Sequence, residues 1–447
     1  MTHEQEETNG LGGLCGWESG PDPAHHAHFL RSALELLVDK AVLQSTDRNS
    51  RVVEWVQPDD LKKRLHLTLE DDPVTQGDLL KYLDEVISLD VYGLVGQWVT
   101  DALNPSVYTY EVAPVFTLME FEVLSEMAKH VGYEEHDGLF SPGGSISNMY
   151  GMLLARYYRF PEIKKQGITG LGRLVAFTSI DAHYSVVKSA ITLGLGSDNL
   201  ILVNVDENGR MDVNHLKECI TKAREEGGVP FIVCATAGTT VLGAYDPIER
   251  VSQVCQIEGL WLHVDAAWGV FLTRHVGLLK DCNSASAAYL FQRDKFYDTS
   301  YDTGDKHLQC GRRADVLKFW TMWKAKGTKG LTKHIEKLFT MSKLFADKIR
   351  SRDGFTLLLE PECTNVCFWY APPSLRGHED NPDYTTRLHA VAPRIKERMV
   401  KEGTMMITYQ PLRERHNFFR LVLQNSQVNE DDIDYFVRQI EIHGSDL

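Results

Sequence analysis

Long apolar runs are missing from this 447-residue chain, and no stretch reaches the ~18 apolar residues that a membrane-spanning helix needs. The N-terminal MTHEQEETNGLGG is polar and acidic, with no apolar core, so it does not read as a secretory signal. Positive charge is scarce. Lys+Arg 47 against Asp+Glu 62 leaves a net −15, which repels phosphate backbones and argues against nucleic acid or anionic membranes as partners. No CxxC pair occurs among the eight scattered cysteines, so free thiols in a reducing, cytoplasmic setting are expected. No GxGxxG or GKT/GKS loop follows a strand, which excludes a nucleotide-binding module. Internal repeats and low-complexity segments are absent too.

What is present is a chain 43% hydrophobic, enough for one large core and a smaller domain. Residues 1–28 read as a disordered tail, and their His25, His26 and His28 as solvated side chains with no metal site. Phe29, Ala33, Leu36, Leu37 and Leu43 recur at helical spacing, and 79–103 reads as a second helix. An alternating pattern follows. RLVAFTSI (173–180), NLILVNVD (199–206), PFIVCATAG (230–238) and LWLHVDAAW (260–268) read as apolar strands. Between them lie helices, one capped by Asp212 and ended at Gly227-Gly228, another over 248–258. Such repetition predicts an α/β fold, a mostly parallel sheet flanked by helices, with ligands at the carboxyl ends of the strands. After about 345 the texture changes. FTLLLE (355–360), NVCFWYA (365–371) and FFRLVLQN (418–425) alternate with helices at 383–402 and 430–442, a smaller C-terminal α+β domain.

Several strand ends carry chemistry. In FSPGGSISNMYGMLLARYY, Gly144 and Ser145 open a helix, where backbone N–H groups and the dipole favour an anion such as phosphate; the plain alternative is a Gly-Ser cap that binds nothing. Asp265 ends a buried strand in HVDAAWG and needs a partner, such as a protonated pyridine nitrogen, unless it merely caps the next helix. His183 in IDAHYSV faces the same edge, as a stacking imidazole or a satisfied core histidine. Thr240 in ATAGTT offers a hydroxyl on the next strand end.

Taken together, these four blocks resemble the group II pyridoxal-phosphate decarboxylases, in the branch holding glutamate and cysteine sulfinic acid decarboxylases. YTYEVAPVFTLME (108–120), CATAGTTVLGAYDPI, YDTGDKHLQCGRR (301–313), PPSLRG (372–377) and NFFR (417–420) extend the match over nearly the whole chain beyond the tail. RIKERMVKEGTMM (394–406) and the short N-terminus point to the cysteine sulfinate side of that branch. The resemblance implies a fold-type I enzyme with pyridoxal 5'-phosphate as cofactor and an acidic amino acid as substrate. It implies a helical dimerisation segment at 29–115, a cofactor domain at 116–345, a small domain at 346–447, and a homodimer or a heterodimer with a full-length relative. Gly144 and Ser145 would then bind the phosphate, His183 would stack on the ring, Thr240 would support it and Asp265 would pair with its nitrogen. Arg420 would hold a substrate carboxylate as a bidentate fork; otherwise it is a surface arginine. Tyr297 in DKFYDTSYDTGDK would return a proton after CO2 leaves; otherwise it is a turn tyrosine.

The chain departs from the family in two places. Members carry the cofactor-bonding lysine in an Asn-Pro-His-Lys motif beyond the Asp265 strand, and no such motif exists here. HVDAAWG runs straight into VFLTRHVGLLKDCNSASAAYLF, as if a few dozen residues were cut out. Lys280 reads as a solvent-facing helix residue, and Lys295 and Lys306 as parts of a mobile loop, so none is expected to substitute. Upstream, DEVISLDVYGLVG (84–96) skips the family's His-Pro-x-Phe-Phe-Asn-Gln stretch. Two clean losses in a well-matched chain imply a decarboxylase polypeptide without its amine, either inert or a modulating partner of an intact subunit.

Overall fold

Six consecutive apolar or small residues at 174–179 form the body of a strand buried on both faces, and the rest of the large sheet is built around it. The computed structural model describes residues 23–39, 43, 97–98, 100–266 and 269–447. The chain divides into two compact units, one of 1–94 with Ile395–Met406 and one of Val95–Arg394 with Ile407–Leu447. In the first unit helix α1 spans Pro23–Leu37. It starts earlier than the expected Phe29, because Pro23 is preorganised for a first helical turn, so residues 23–28 are helical and not tail. Of the helix expected at 79–103, residues 79–96 lie outside the described residues, as does the skipped stretch at 84–96.

The second unit carries the site. Its elements begin with α2 (Pro114–Val131), β1 (Asp137–Phe140) and α3 (Gly144–Arg159). They continue with β2 (Arg173–Ser179), α4 (Ser185–Thr192), β3 (Leu200–Val203), α5 (Val213–Glu225) and β4 (Gly228–Thr236). Then come α6 (Ile248–Glu258), β5 (Trp261–Asp265), β6 (Val270–Thr273) and α7 (Leu278–Asn283). Strands β3-β2-β4-β5 form a four-stranded sheet in that order, parallel throughout. Alternate residues of β2 feed two cores. Val175 and Phe177 pack with Leu216, Ile220 and Val251 of α5 and α6, while Leu174 and Ala176 pack with Met152, Ala155 and Val186 of α3 and α4. Double coverage is what an apolar parallel strand demands. Asp212 accepts from the Asn214 and His215 N–H groups at the start of α5, as the sequence implies.

The C-terminal part holds α8 (Val316–Ser351), interrupted at Gly327 (φ 64°), then β7 (Phe355–Leu357), β8 (Asn365–Tyr370), α9 (Tyr384–Glu402), β9 (Thr408–Leu412), β10 (Arg415–Val422) and α10 (Glu430–Gly444). Strands β7-β8-β10-β9 make an antiparallel sheet, in which Phe368 packs on Phe345, Phe355 and Phe419. Strand β9 was not legible in the sequence, since TYQPL contains a proline and no apolar alternation.

The expectation of a fold-type I enzyme with one mostly parallel sheet is corrected. Strands β1 and β6 form a separate antiparallel pair, Asp137 opposite Thr273 through Phe140 opposite Val270. The α/β part is therefore mixed, a four-stranded parallel sheet and a two-stranded antiparallel one flanked by helices, and the fold-type I label is not retained. Both strands of the missed pair are four residues long, too short for periodicity to reveal. Among the described residues β5 pairs with β4 alone. No helix of the described residues is long and apolar enough to cross a membrane.

Candidate functional site

Because β2, β4 and β5 run parallel, their carboxyl ends deliver His183, Thr240 and Asp265 to one edge of the sheet. Helix α3 begins beside that edge. Gly143 caps it with φ 91° and ψ 162°, a left-handed backbone that favours glycine, and a Cβ there would meet nothing within 4 Å. The space before the helix is open. Gly144 and Ser145 follow at its first turn, Ser145 exposed, where N–H groups lack intrahelical acceptors. The Ser141 hydroxyl lies 2.6 Å from that of Ser147, and the Ser141 N–H donates to Gly269 O at 2.8 Å, which pins the turn.

One turn along, about 6 Å up the helix axis, Asn148 joins the two ring-facing candidates. Its amide nitrogen donates to Asp265 Oδ2 at 2.7 Å and to the Ser185 hydroxyl at 2.9 Å. Ser185 Oγ lies 2.8 Å from His183 Nδ1. The Asn148 carbonyl oxygen lies 2.9 Å from His263 Nε2. His183 and Asp265 thus belong to one connected cluster. Asn148, Ser185 and His263 were not picked from the sequence. The available signals were Asn148 four residues after Gly144 on the same face of α3, and Ser185 two after His183.

His263 is 8% exposed, and its ring fills the space over Gly151, where an added Cβ would sit 2.4 Å from Nδ1. Burial pushes the imidazole down to about 4 from an ordinary 6.5, against a smaller upward pull from Asp265. Burial also pushes His307 well down, helped by Arg312 and Lys306. Below an unfolded value near 6.5 the unfolded chain binds protons that the fold refuses, so stability is full above that pH and declines as acid is added. For His263 alone the loss reaches about 3 kcal/mol by pH 4. Burial raises Asp181 and Asp246 and opposes the trend, but from the carboxylate end of the range. Thermal melts should therefore fall between roughly pH 6.5 and 5, with a shallower slope in His263→Gln; a flat profile across that window contradicts this account.

Thr240 and Arg420 meet each other. Arg420, half-buried on β10, donates through one guanidinium nitrogen to the Thr240 carbonyl and through Nε to Thr408 Oγ1 at 3.3 Å. It is the Thr240 carbonyl that takes part in this contact, and the side-chain amide of Asn365 also donates to it at 3.2 Å. The adjacent Thr239 hydroxyl is engaged by the Ala244 N–H at 3.1 Å.

Tyr297 belongs to a second cluster. Its hydroxyl donates to Asp302 Oδ1 at 2.9 Å and accepts from Lys295 Nζ at 3.0 Å. Lys295 Nζ also reaches Glu111 at 2.8 Å and Asp302 Oδ2 at 3.0 Å, with side-chain exposures of 7% for Lys295 and 2% for Asp302. These acceptors raise Lys295 despite its burial, and burial raises the Tyr297 phenol. Lys306 donates to Asp137 and to Gly138 O, and Lys280 is exposed on α7. The chemistry of these residues fits pyridoxal 5'-phosphate: an open helix start, a carboxylate held by Asn148 and an imidazole joined to it through Ser185. Lys280, Lys295 and Lys306 are each turned to solvent or to their own acceptors.

A family profile described as the pyridoxal-dependent decarboxylase conserved domain matches residues 74–278 and 269–371. An acidic amino acid decarboxylase of Bos taurus is 44% identical over 474 residues, covering 94% of this chain and 91% of its own. A cysteine sulfinic acid decarboxylase of Homo sapiens is 45% identical over 481 residues, covering 95% and 98%. The crystal structure of mouse CSAD in apo form superposes with TM-score 0.92 at 43% identity, covering 95% of this chain and 100% of that one. Both aligned lengths exceed the 447 residues of the chain, so these relatives carry residues that have no counterpart here. The profile matches in two stretches that overlap at 269–278, starting at the last residue of HVDAAWG.

Proposed function

Because the chain belongs to the pyridoxal-dependent decarboxylases, a family of carboxy-lyases that use pyridoxal 5'-phosphate, we propose that it derives from a cytoplasmic decarboxylase of acidic amino acids and has lost the lysine segment. Cysteine sulfinate, giving hypotaurine, is the preferred substrate of the full-length form, with aspartate or glutamate next. The observation that supports this reading is that the family match falls into two stretches overlapping at 269–278, a few residues beyond the end of β5, which has a neighbour on one side only among the described residues.

In this reading Gly144 and Ser145 receive the phosphate, His183 lies against the ring, Thr240 supports it and Asp265 accepts from its nitrogen. When bound, the cofactor supplies an electron sink for the pair left by departing CO2. Arg420 orients a substrate carboxylate. Tyr297, kept protonated by burial and held by Asp302 and Lys295, is the proton donor in the full-length enzyme. Purified chain treated with pyridoxal 5'-phosphate and borohydride should yield no adduct on any lysine in a peptide map. A fixed adduct on one lysine, or CO2 release from an acidic amino acid at an ordinary enzymatic rate, rules the inert reading out.

A second reading is a regulatory partner that pairs with an intact subunit. It is favoured by Val112, Val115 and Leu118, which lie exposed in the YTYEVAPVFTLME block at 45–57%. Burying them against a second chain would remove apolar surface from water. Co-expression with an intact cysteine sulfinic acid decarboxylase should give mixed dimers of lowered activity. Unmixed chains with full activity count against it.

A further inference from the structure

We propose that Asn148 is a positioning residue that ties Asp265 to His183, ordering the Ser185 hydroxyl so that His183 keeps its proton on Nε2. The argument is a count of donors and acceptors. Asn148 contacts two groups through its nitrogen, Asp265 Oδ2 at 2.7 Å and Ser185 Oγ at 2.9 Å. A carboxylate oxygen only accepts, so the amide nitrogen must face it. The Asn148 oxygen then accepts from His263 Nε2 at 2.9 Å, which fixes His263 with its proton on Nε2. Ser185 Oγ is left accepting from Asn148, and its own hydrogen turns to His183 Nδ1, 2.8 Å away. The Ser185 backbone N–H points at the same nitrogen at 3.3 Å. With two donors aimed at it, Nδ1 must be a lone pair, so His183 carries its proton on Nε2.

The centre of the chain of bonds is shielded, while its ends at His183 and Asp265 are part-buried. Ser185 is 1% exposed, Asn148 3% and His263 8%, so water does not compete for the Asn148–Ser185 and Asn148–His263 bonds, whose direction is set by the protein. Burial also holds His263 neutral, as the chain of donors requires. Gly151 makes the arrangement possible, because any side chain there would occupy the place of the His263 ring. The result is a directed relay, His263 to Asn148, Asn148 to both Asp265 and Ser185, Ser185 to His183. It keeps the two groups that face a ring from opposite ends of the cluster in fixed mutual orientation. The assignment of Asp265 and His183 to that ring rests on the function proposed above; the tautomer does not.

The test is long-range 15N–1H correlation of histidine-labelled, cofactor-free full chain near pH 8, where free imidazole is neutral. Wild type should show His183 and His263 each with the proton on Nε2. In Asn148→Asp an oxygen replaces the donating nitrogen, so the Ser185 hydroxyl turns to it and accepts from His183 instead. His183 should switch to the Nδ1–H form. Ser185→Ala, a small change for a chain that tolerates Asn148→Asp poorly, should leave His183 as a mixture of both forms. Binding of pyridoxal 5'-phosphate, read by absorbance, should weaken at least about tenfold in Asn148→Asp, the loss of one charge-assisted hydrogen bond. Nδ1–H on His183 in wild type overturns the relay, as does an unchanged His183 in both variants. A switched tautomer with unaltered cofactor affinity overturns the positioning role while leaving the hydrogen-bond order standing. Failure of the lysine-loss reading would show only in the borohydride experiment.

Discussion

Inserting between HVDAAWG and VFLT the Asn-Pro-His-Lys segment that the proposed reading takes to be lost should turn this chain into one that releases CO2 from acidic amino acids. The gain should be on the order of 10³-fold or more, since removing a covalent catalytic group from an otherwise intact site costs at least that much. The physical case is local. Strand β5 bonds to β4 on one side only among the described residues, and β6 pairs with β1 in a sheet of its own. A parallel strand so placed leaves backbone donors and acceptors along its second side, which folded proteins pair or cover. The receiving groups are already built: Asp265 is held by Asn148 at 2.7 Å and Gly143 leaves the helix start open. The graft should therefore yield a borohydride-fixed adduct on the inserted lysine and a higher melting temperature. A grafted chain that forms the adduct but releases no CO2 would place the decisive loss in the upstream stretch at 84–96 instead.

Much of this was legible in the order of residues because the large sheet is covered on both faces. A strand such as β2, buried from Leu174 to Ser179, must be written as a run of apolar and small residues, and its limits were read to within one residue. Strand ends then placed His183 and Asp265 on one edge without further information. What escaped was cooperative. Asn148 looks like an ordinary polar residue on α3, and only the approach of β5 to α3 gives its two ends different partners. Tyr297 was found as a loop tyrosine, but the charged cage around it unites Glu111 and Asp302, 191 positions apart in the numbering, through one lysine. Lys295, read as part of a mobile loop, is 7% exposed and fixed by three acceptors. Charge runs show where a side chain is costly to bury, not which partner compensates it.

Glu120→Ala should destabilise the chain by about 3–5 kcal/mol, the range for removing one partner of a buried ion pair. Arg312 meets Glu120 through two parallel bonds of 3.0 and 2.9 Å, and the side chains are 5% and 4% exposed. Arg312 also donates to Val107 O at 2.9 Å, while Glu120 accepts from the Phe140 N–H at 3.1 Å. One pair thus holds α2, the end of β1, the 107 segment and the YDTGDKHLQCGRR segment, the last carrying the Asp302 that binds Tyr297. Alanine at 120 leaves a guanidinium in a dry site with no carboxylate, and a charge so stranded costs far more than the pair contributes. Glu120→Gln keeps an acceptor for Phe140 and should cost less. Replacing both partners at once, Glu120→Leu with Arg312→Met, should recover most of the loss, because neither charge is then stranded. Urea denaturation of the four chains decides the matter. A double variant as weak as Glu120→Ala would mean that the shape of the pair, not its charge balance, carries its share of stability. The melting of Glu120→Ala should also free Tyr297, seen as a phenol that titrates closer to its ordinary value while the same group in the double variant stays raised.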